Sequence, residues 1–265
     1  MKEAEFFYDQ NAEEEWGRLD RHRTEFAVTL KALEEFLPLS PASVLDIGGG
    51  PGRYSIELAA RGYNVTLLDV SGESLRLAKE KATGVGVRLK ETIHSNALDL
   101  EQCEPESFDA VLLMGPLYHL LLEEERAKAV REAVGVLKPG GRFFAAVVTR
   151  FAPFRESASS IPDWVLKERD YALRILDTGL HEEPQKWARA YFMHPDGMIP
   201  LMEGCGLHTL LIVGCEGIVA GHEEKVNALQ GEDWLTWVEL NYRLGKEPTL
   251  YGASDHLLYV GEKPG

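Results

Sequence analysis

The run Val44-Leu45-Asp46-Ile47, followed by Gly48-Gly49-Gly50-Pro51-Gly52, constrains this chain more than any other stretch. The apolar residues predict a buried strand, and the glycines predict a turn that brings backbone close to a ligand. Ile56, Leu58, Ala59 and Ala60 then open a helical pattern. A strand, a glycine turn and a helix in that order put the turn at the carboxyl end of a strand, where open α/β sheets bind their ligands. A dinucleotide-binding turn counted from Gly48 has its third glycine at position 53, where this chain carries Arg53. The alternative at this point is a tight turn that binds nothing.

The 265 residues are 45% hydrophobic, enough to bury the core of one large α/β domain carrying insertions. A formal net charge of -15 repels a phosphate backbone, so nucleic acid is not an expected partner. Cys103, Cys205 and Cys215 are widely spaced, with no partner in metal-binding register, and read as free thiols; no metal site is expected. No apolar run reaches the roughly 20 residues that a bilayer span requires, and Lys2, Glu3 and Glu5 leave no room for an apolar leader. The expectation is a cytoplasmic protein, away from membranes, as monomer or homodimer.

Ahead of the glycine turn, Trp16, Leu19, Phe26, Leu30, Leu33 and Leu37 recur at steps of three, four and seven, which predicts one amphipathic helix ended by Pro38. Beyond the turn, Tyr63 to Leu68 reads as a second strand ending at Asp69. An acidic residue about 20 positions past such glycines can accept from both hydroxyls of a ribose; the alternative is a cap ahead of Ser71. A third strand falls near Val87 to Ile93. A fourth, Phe108 to Met114, leads into Gly115-Pro116-Leu117-Tyr118-His119, which topology sets beside the glycine turn. His119 reads either as a buried imidazole bonded to a carbonyl or as a proton acceptor.

Four segments in the same order carry a resemblance: the D-x-G-x-G-x-G pattern of Asp46 to Gly52, Ser95-Asn96-Ala97-Leu98-Asp99-Leu100, the loop after Met114, and Val136-Leu137-Lys138-Pro139-Gly140-Gly141-Arg142-Phe143. Over roughly residues 40–150 the chain resembles the class I S-adenosylmethionine (SAM) dependent methyltransferases. The resemblance implies a Rossmann-like α/β fold, a seven-stranded sheet of order 3-2-1-4-5-7-6 flanked by helices, with SAM as cofactor and S-adenosylhomocysteine as product. Gly48, Gly49, Gly50 and Gly52 would cradle the amino-acid tail and ribose, Asp69 and Val70 the ribose, and Asn96 and Ala97 the adenine, with an amide where the family has an acid. Met114, Gly115 and Tyr118 would line the rest of the cofactor site.

The same resemblance divides the chain into an N-terminal helical arm (1–38), a SAM-binding core (40–150), a lid insertion (151–194) and C-terminal strands (195–265) with a helical insertion at 223–244. Tyr8 of the arm would cover the cofactor and Arg21 reach a carboxylate; the alternative is that Arg18, Arg21 and Arg23 are solvated charges paired with Glu14, Glu15 and Glu25. The lid is predicted helical over Trp164 to Asp177 and Pro184 to Ala190, with aromatics such as Trp164, Tyr171 and Trp187. Such a lid suits a small organic acceptor, whose proton His119, or secondarily His194, would take. An RNA or protein acceptor and a SAM-binding regulator without transfer activity are the alternatives; an NAD enzyme is opposed by Arg53.

Overall fold

In the computed structural model, which describes residues 2–183 and 188–265, the apolar runs assemble into one mixed sheet. Its strands are β1 (Ser43–Ile47), β2 (Asn64–Asp69), β3 (Glu91–His94), β4 (Phe108–Leu113), β5 (Leu137–Val148), β6 (His208–Gly214) and β7 (His256–Glu262). Their spatial order is 3-2-1-4-5-7-6, as the resemblance implies. Strands β1 to β5 pair in parallel, and β7 runs antiparallel between β5 and β6. The order reverses direction between β1 and β4, and a crevice opens at their carboxyl ends.

Eleven α-helices are described: α1 (Lys2–Arg21), α2 (Arg23–Phe36), α3 (Arg53–Ala60), α4 (Gly72–Gly84), α5 (Glu123–Val136), α6 (Ala152–Ser160), α7 (Trp164–Lys167), α8 (Arg169–Thr178), α9 (Met198–Glu203), α10 (Glu223–Asn227) and α11 (Gly231–Gly245). Successive strand residues face opposite sides, so Val44 packs with Val28, Ile56, Ala78 and Trp234 on one face, while Leu45 packs with Val130, Ala133 and Met198 on the other. Both faces are covered, which is why β1 and β4 read as nearly continuous apolar runs.

The N-terminal helix differs from its prediction. It breaks at His22 (φ -100°, ψ 55°), although neither glycine nor proline stands there. Tertiary contacts set the break: Arg23 donates to the Asn227 and Leu229 carbonyls, and Arg18 turns onto Glu25. The lid also differs. Leu180–His181 and Ala190–Tyr191 form a small antiparallel hairpin, so Ala190 is extended and not helical; Pro184 to Trp187 lie outside the described residues. The insertion at 223–244 divides into α10 and α11 at a left-handed Gly231 (φ 57°), and β3 starts four residues later than expected.

Candidate active site

The glycine turn closes β1 onto the loop after β4. Gly48 takes φ +68°, and a Cβ there would stand 2.5 Å from Cγ of Pro116. Asp69, at the end of β2, fixes the turn from the other side: its carboxylate accepts from the Gly50 and Ser71 amides, each at 2.8 Å. Burial pushes its pKa up, against the pull of those two hydrogen bonds. Beneath the turn Asp46 is fully buried and accepts from the Ser55 hydroxyl at 2.7 Å. Burial, reinforced by the charge of Asp69, raises the Asp46 carboxyl to about 6 despite that hydrogen bond.

These groups line a cavity of about 110 Å³ together with Val70, Ser95, Asn96, Ala97, Met114 and Gly115. A second cavity, of about 850 Å³, lies between the arm and the segment after β5. Tyr8, Glu15, Arg18, Tyr118 and His119 border both. At this seam the Tyr8 hydroxyl lies 2.7 Å from His119 Nε2, and the Tyr118 and His119 rings sit 4.6 Å apart. Burial, opposed by the backbone of Arg189, lowers the His119 pKa to about 4, so the imidazole is neutral at pH 7. The arm is pinned over the site by Asp9, which accepts from the Ser71 hydroxyl at 2.7 Å and the Glu73 amide at 3.1 Å.

Behind the seam lies a buried network of charges. Arg18 donates two hydrogen bonds to Glu25, at 2.7 and 3.0 Å, and a third to Glu15. Glu216, which also accepts from the Ser254 hydroxyl, receives a 2.5 Å bond from His256 Nδ1, and Glu25 lies 3.8 Å from that nitrogen. Burial alone would discharge His256, yet Glu25 and Glu216 hold its pKa at about 9. Burial pushes Glu25 upward as well, and Arg18 and His256 outweigh it, to about 2. Glu25, Glu216 and His256 offer three potential metal ligands within 4.8 Å of one another, but here the two carboxylates are matched by two cations.

Comparison with known proteins agrees with this geometry. Residues 45–145 match the family described as "Methyltransferase domain". The ubiquinone biosynthesis O-methyltransferase of Xylella fastidiosa (strain 9a5c) is 30% identical over 217 residues, covering 82% of this chain and 75% of that protein. The chain belongs to the class I SAM-dependent methyltransferases. Among solved structures, a SAM-dependent methyltransferase of Methanosarcina mazei superposes with TM-score 0.59 at 20% identity, over 88% of this chain and 97% of that one. The geranyl diphosphate C-methyltransferase of Streptomyces coelicolor A3(2), crystallised with S-adenosylhomocysteine, superposes with TM-score 0.54 at 16% identity, over 93% and 77%.

In the methyltransferase the smaller cavity collects most residues expected at the cofactor: Tyr8, Gly48, Gly49, Gly50, Asp69, Val70, Asn96, Ala97, Met114, Gly115 and Tyr118, with His119 beside them. Three expected residues lie elsewhere. Gly52 is the left-handed N-cap of α3 (φ 82°), where its role is to start the helix. Arg21 borders only the larger cavity, and Arg18, one turn earlier, reaches the seam instead. His194 borders neither cavity; its Nδ1 accepts from the Asp196 amide at 3.3 Å and it packs on Phe151. Asn96 does border the smaller cavity, but its side-chain oxygen already accepts from the Leu98 amide. Sequence reasoning missed Glu15, Arg18, Asp46, Arg53 and Tyr54 as cavity residues; only Asp46 carries a sequence signal, as the first letter of the glycine pattern.

Proposed function

We propose that this methyltransferase moves the methyl group of SAM to a hydroxyl of a small organic molecule held in the larger cavity. One observation carries the reading: the cofactor cavity and the larger cavity meet along Tyr8, Glu15, Arg18, Tyr118 and His119. The name O-methyltransferase of the sequence relatives supports an oxygen acceptor. SAM supplies an already activated methyl group as a sulfonium. The protein's part is to hold acceptor oxygen and methyl carbon in line in a dry space, which can supply roughly 7 to 11 kcal/mol of the barrier.

In this reading the glycine turn holds the amino-acid tail and ribose, Asp69 accepts from the ribose hydroxyls with its free lone pairs, and Ala97 and the Asn96 amide face the adenine. Arg18, with the two guanidinium N–H groups that Glu15 and Glu25 leave free, takes the carboxylate role expected of Arg21. The arm (1–38) and the described parts of the insertion (151–183 and 188–194) border the acceptor space, to which Val148, Ala152, Ile175 and Phe192 give an apolar lining. Calorimetry with SAM and S-adenosylhomocysteine, followed by a metabolite-extract screen with methyl-labelled SAM, tests the reading. Both nucleosides should bind and label should enter a small molecule. Absence of binding removes the cofactor site; binding with label entering only RNA or protein, or nothing, removes the small-molecule acceptor.

A further inference from the structure

We propose that the hydroxyl of Tyr8 is the group that takes the acceptor's proton, and that His119 acts only through Tyr8, as the sink for the proton Tyr8 gives up. The inference rests on the acceptor site proposed above. Three observations lead to it. His119 Nε2 is already occupied by the Tyr8 hydroxyl at 2.7 Å. Its other nitrogen, Nδ1, is inaccessible to solvent, and the Arg189 backbone lies against the ring, so neither ring nitrogen presents itself to an acceptor. Tyr8 borders the same two cavities as His119, and its hydroxyl oxygen, unlike either ring nitrogen, can accept one proton while it gives up another.

The protonation states suit a relay. Burial holds Tyr8 well above the usual phenol pKa, so its hydroxyl keeps its proton and donates it to the neutral imidazole. A phenol that stays protonated is a poor base alone, but it can gain one proton as it loses another. As the acceptor oxygen bonds to the methyl carbon, its proton passes to the Tyr8 oxygen and the Tyr8 proton passes to Nε2. The electron pair of the broken carbon–sulfur bond stays on sulfur, leaving a neutral thioether. One positive charge disappears at sulfur and one appears on the imidazolium, so the buried site keeps its net charge through the step. That balance lets an imidazole of low basicity serve.

A consequence follows for the arm. Tyr8 stands on α1 and His119 on the loop after β4, so the proton path exists only while the arm is docked. The chemistry is thereby tied to closure over the acceptor.

The test combines a spectrum with a rate ratio. In the S-adenosylhomocysteine complex, ¹⁵N NMR of imidazole-labelled protein should show His119 neutral at pH 7, with Nε2 as the unprotonated nitrogen. Transfer of labelled methyl is then measured at pH 8 to catechol and to thiophenol, which as a thiolate has no proton to give. The ratio of catechol to thiophenol kcat should fall about 10²-fold in Tyr8→Phe and equally in His119→Gln. The double variant should lose no more than either single one. An unchanged ratio in Tyr8→Phe, losses that multiply in the double variant, or a protonated Nε2 overturns the relay. Failure of S-adenosylhomocysteine to bind, or wild-type transfer to neither probe, overturns the acceptor reading itself and the relay with it.

Discussion

At the scale of single residues, the glycine turn shows two different demands on one residue type. Gly50 takes φ +56° but has open space around a would-be Cβ, with Cγ of Glu15 the nearest atom at 3.9 Å. Gly48 combines φ +68° with a collision against the Pro116 ring. Gly50→Ala should therefore lower stability only by the left-handed strain, about 1–2 kcal/mol, while its methyl enters the cavity that Gly50 lines and weakens S-adenosylhomocysteine binding directly. Gly48→Ala should add about 1–3 kcal/mol of overpacking to the stability loss and displace the loop that carries Tyr118 and His119. Urea unfolding and calorimetry on the two variants separate the effects; equal losses would mean that contact with Pro116 contributes nothing. Asp69 and Asn96 teach a related lesson. Asp69 was legible from its distance to the glycines and Asn96 from the resemblance, yet Asp69 spends both carboxylate oxygens on local backbone, the Gly50 and Ser71 amides, and Asn96 its one oxygen on the Leu98 amide. Spacing predicts that a side chain reaches the cavity; the hydrogen bonds it makes on the way are invisible to spacing.

At the scale of elements, most of the sheet was legible because β1, β2 and β4 are short apolar runs bounded by turn residues, and the glycine turn orients the whole crevice; β3, with Ile93 its one buried residue, was the strand whose start was misplaced. The helical arm was legible as amphipathic but not as two helices. Its periodicity passes through His22 unbroken, and the break is set by partners remote in sequence, Asn227 and Leu229 for Arg23. The same holds for the charge network, whose members come from α1, α2, the segment after β6 and the start of β7. No local pattern announces that Glu25 and Glu216 will share His256. The network gives a pH dependence whose sign is fixed by linkage. The folded protein holds the His256 proton to about 9, whereas an unfolded histidine releases it near 6.5. Between those values the unfolded state binds fewer protons, so this contribution is fully present below about pH 6.5 and is lost as pH rises toward 9. Unfolding free energies measured by urea at pH 6, 7.5 and 9 should fall more steeply for wild type than for His256→Gln, which should be less stable at pH 6. Parallel slopes for the two proteins would show that His256 does not carry its proton into the network.

At the scale of the whole molecule, charge is distributed unevenly with respect to the cavities. The chain carries 43 acidic and 28 basic side chains. Among the described residues bordering the larger cavity, nine are carboxylates and two are guanidiniums, and one of those two, Arg18, is committed to Glu15 and Glu25. Glu183 and Asp255 have arginine partners and Glu216 has His256. Glu156, Glu168 and Glu224 have no cationic side chain paired with them among the described residues. The larger cavity therefore carries a negative field between low-dielectric walls, a setting that concentrates cations and repels anions. Such a field favours a neutral or positive acceptor and weakens the binding of an anionic one. Three one-ring phenols of similar size separate charge from shape: tyramine, 4-hydroxybenzyl alcohol and 4-hydroxybenzoate. Bound to the S-adenosylhomocysteine complex at low ionic strength, they should rank in that order, with about tenfold or more between the two charged probes, equivalent to about 1.4 kcal/mol. Raising the salt toward 1 M shortens the screening length to about 3 Å, so the spread should narrow mainly by weakening tyramine and rescuing the benzoate. A ranking that places the benzoate first, or a spread indifferent to salt, would mean that shape and not the acidic wall selects the acceptor.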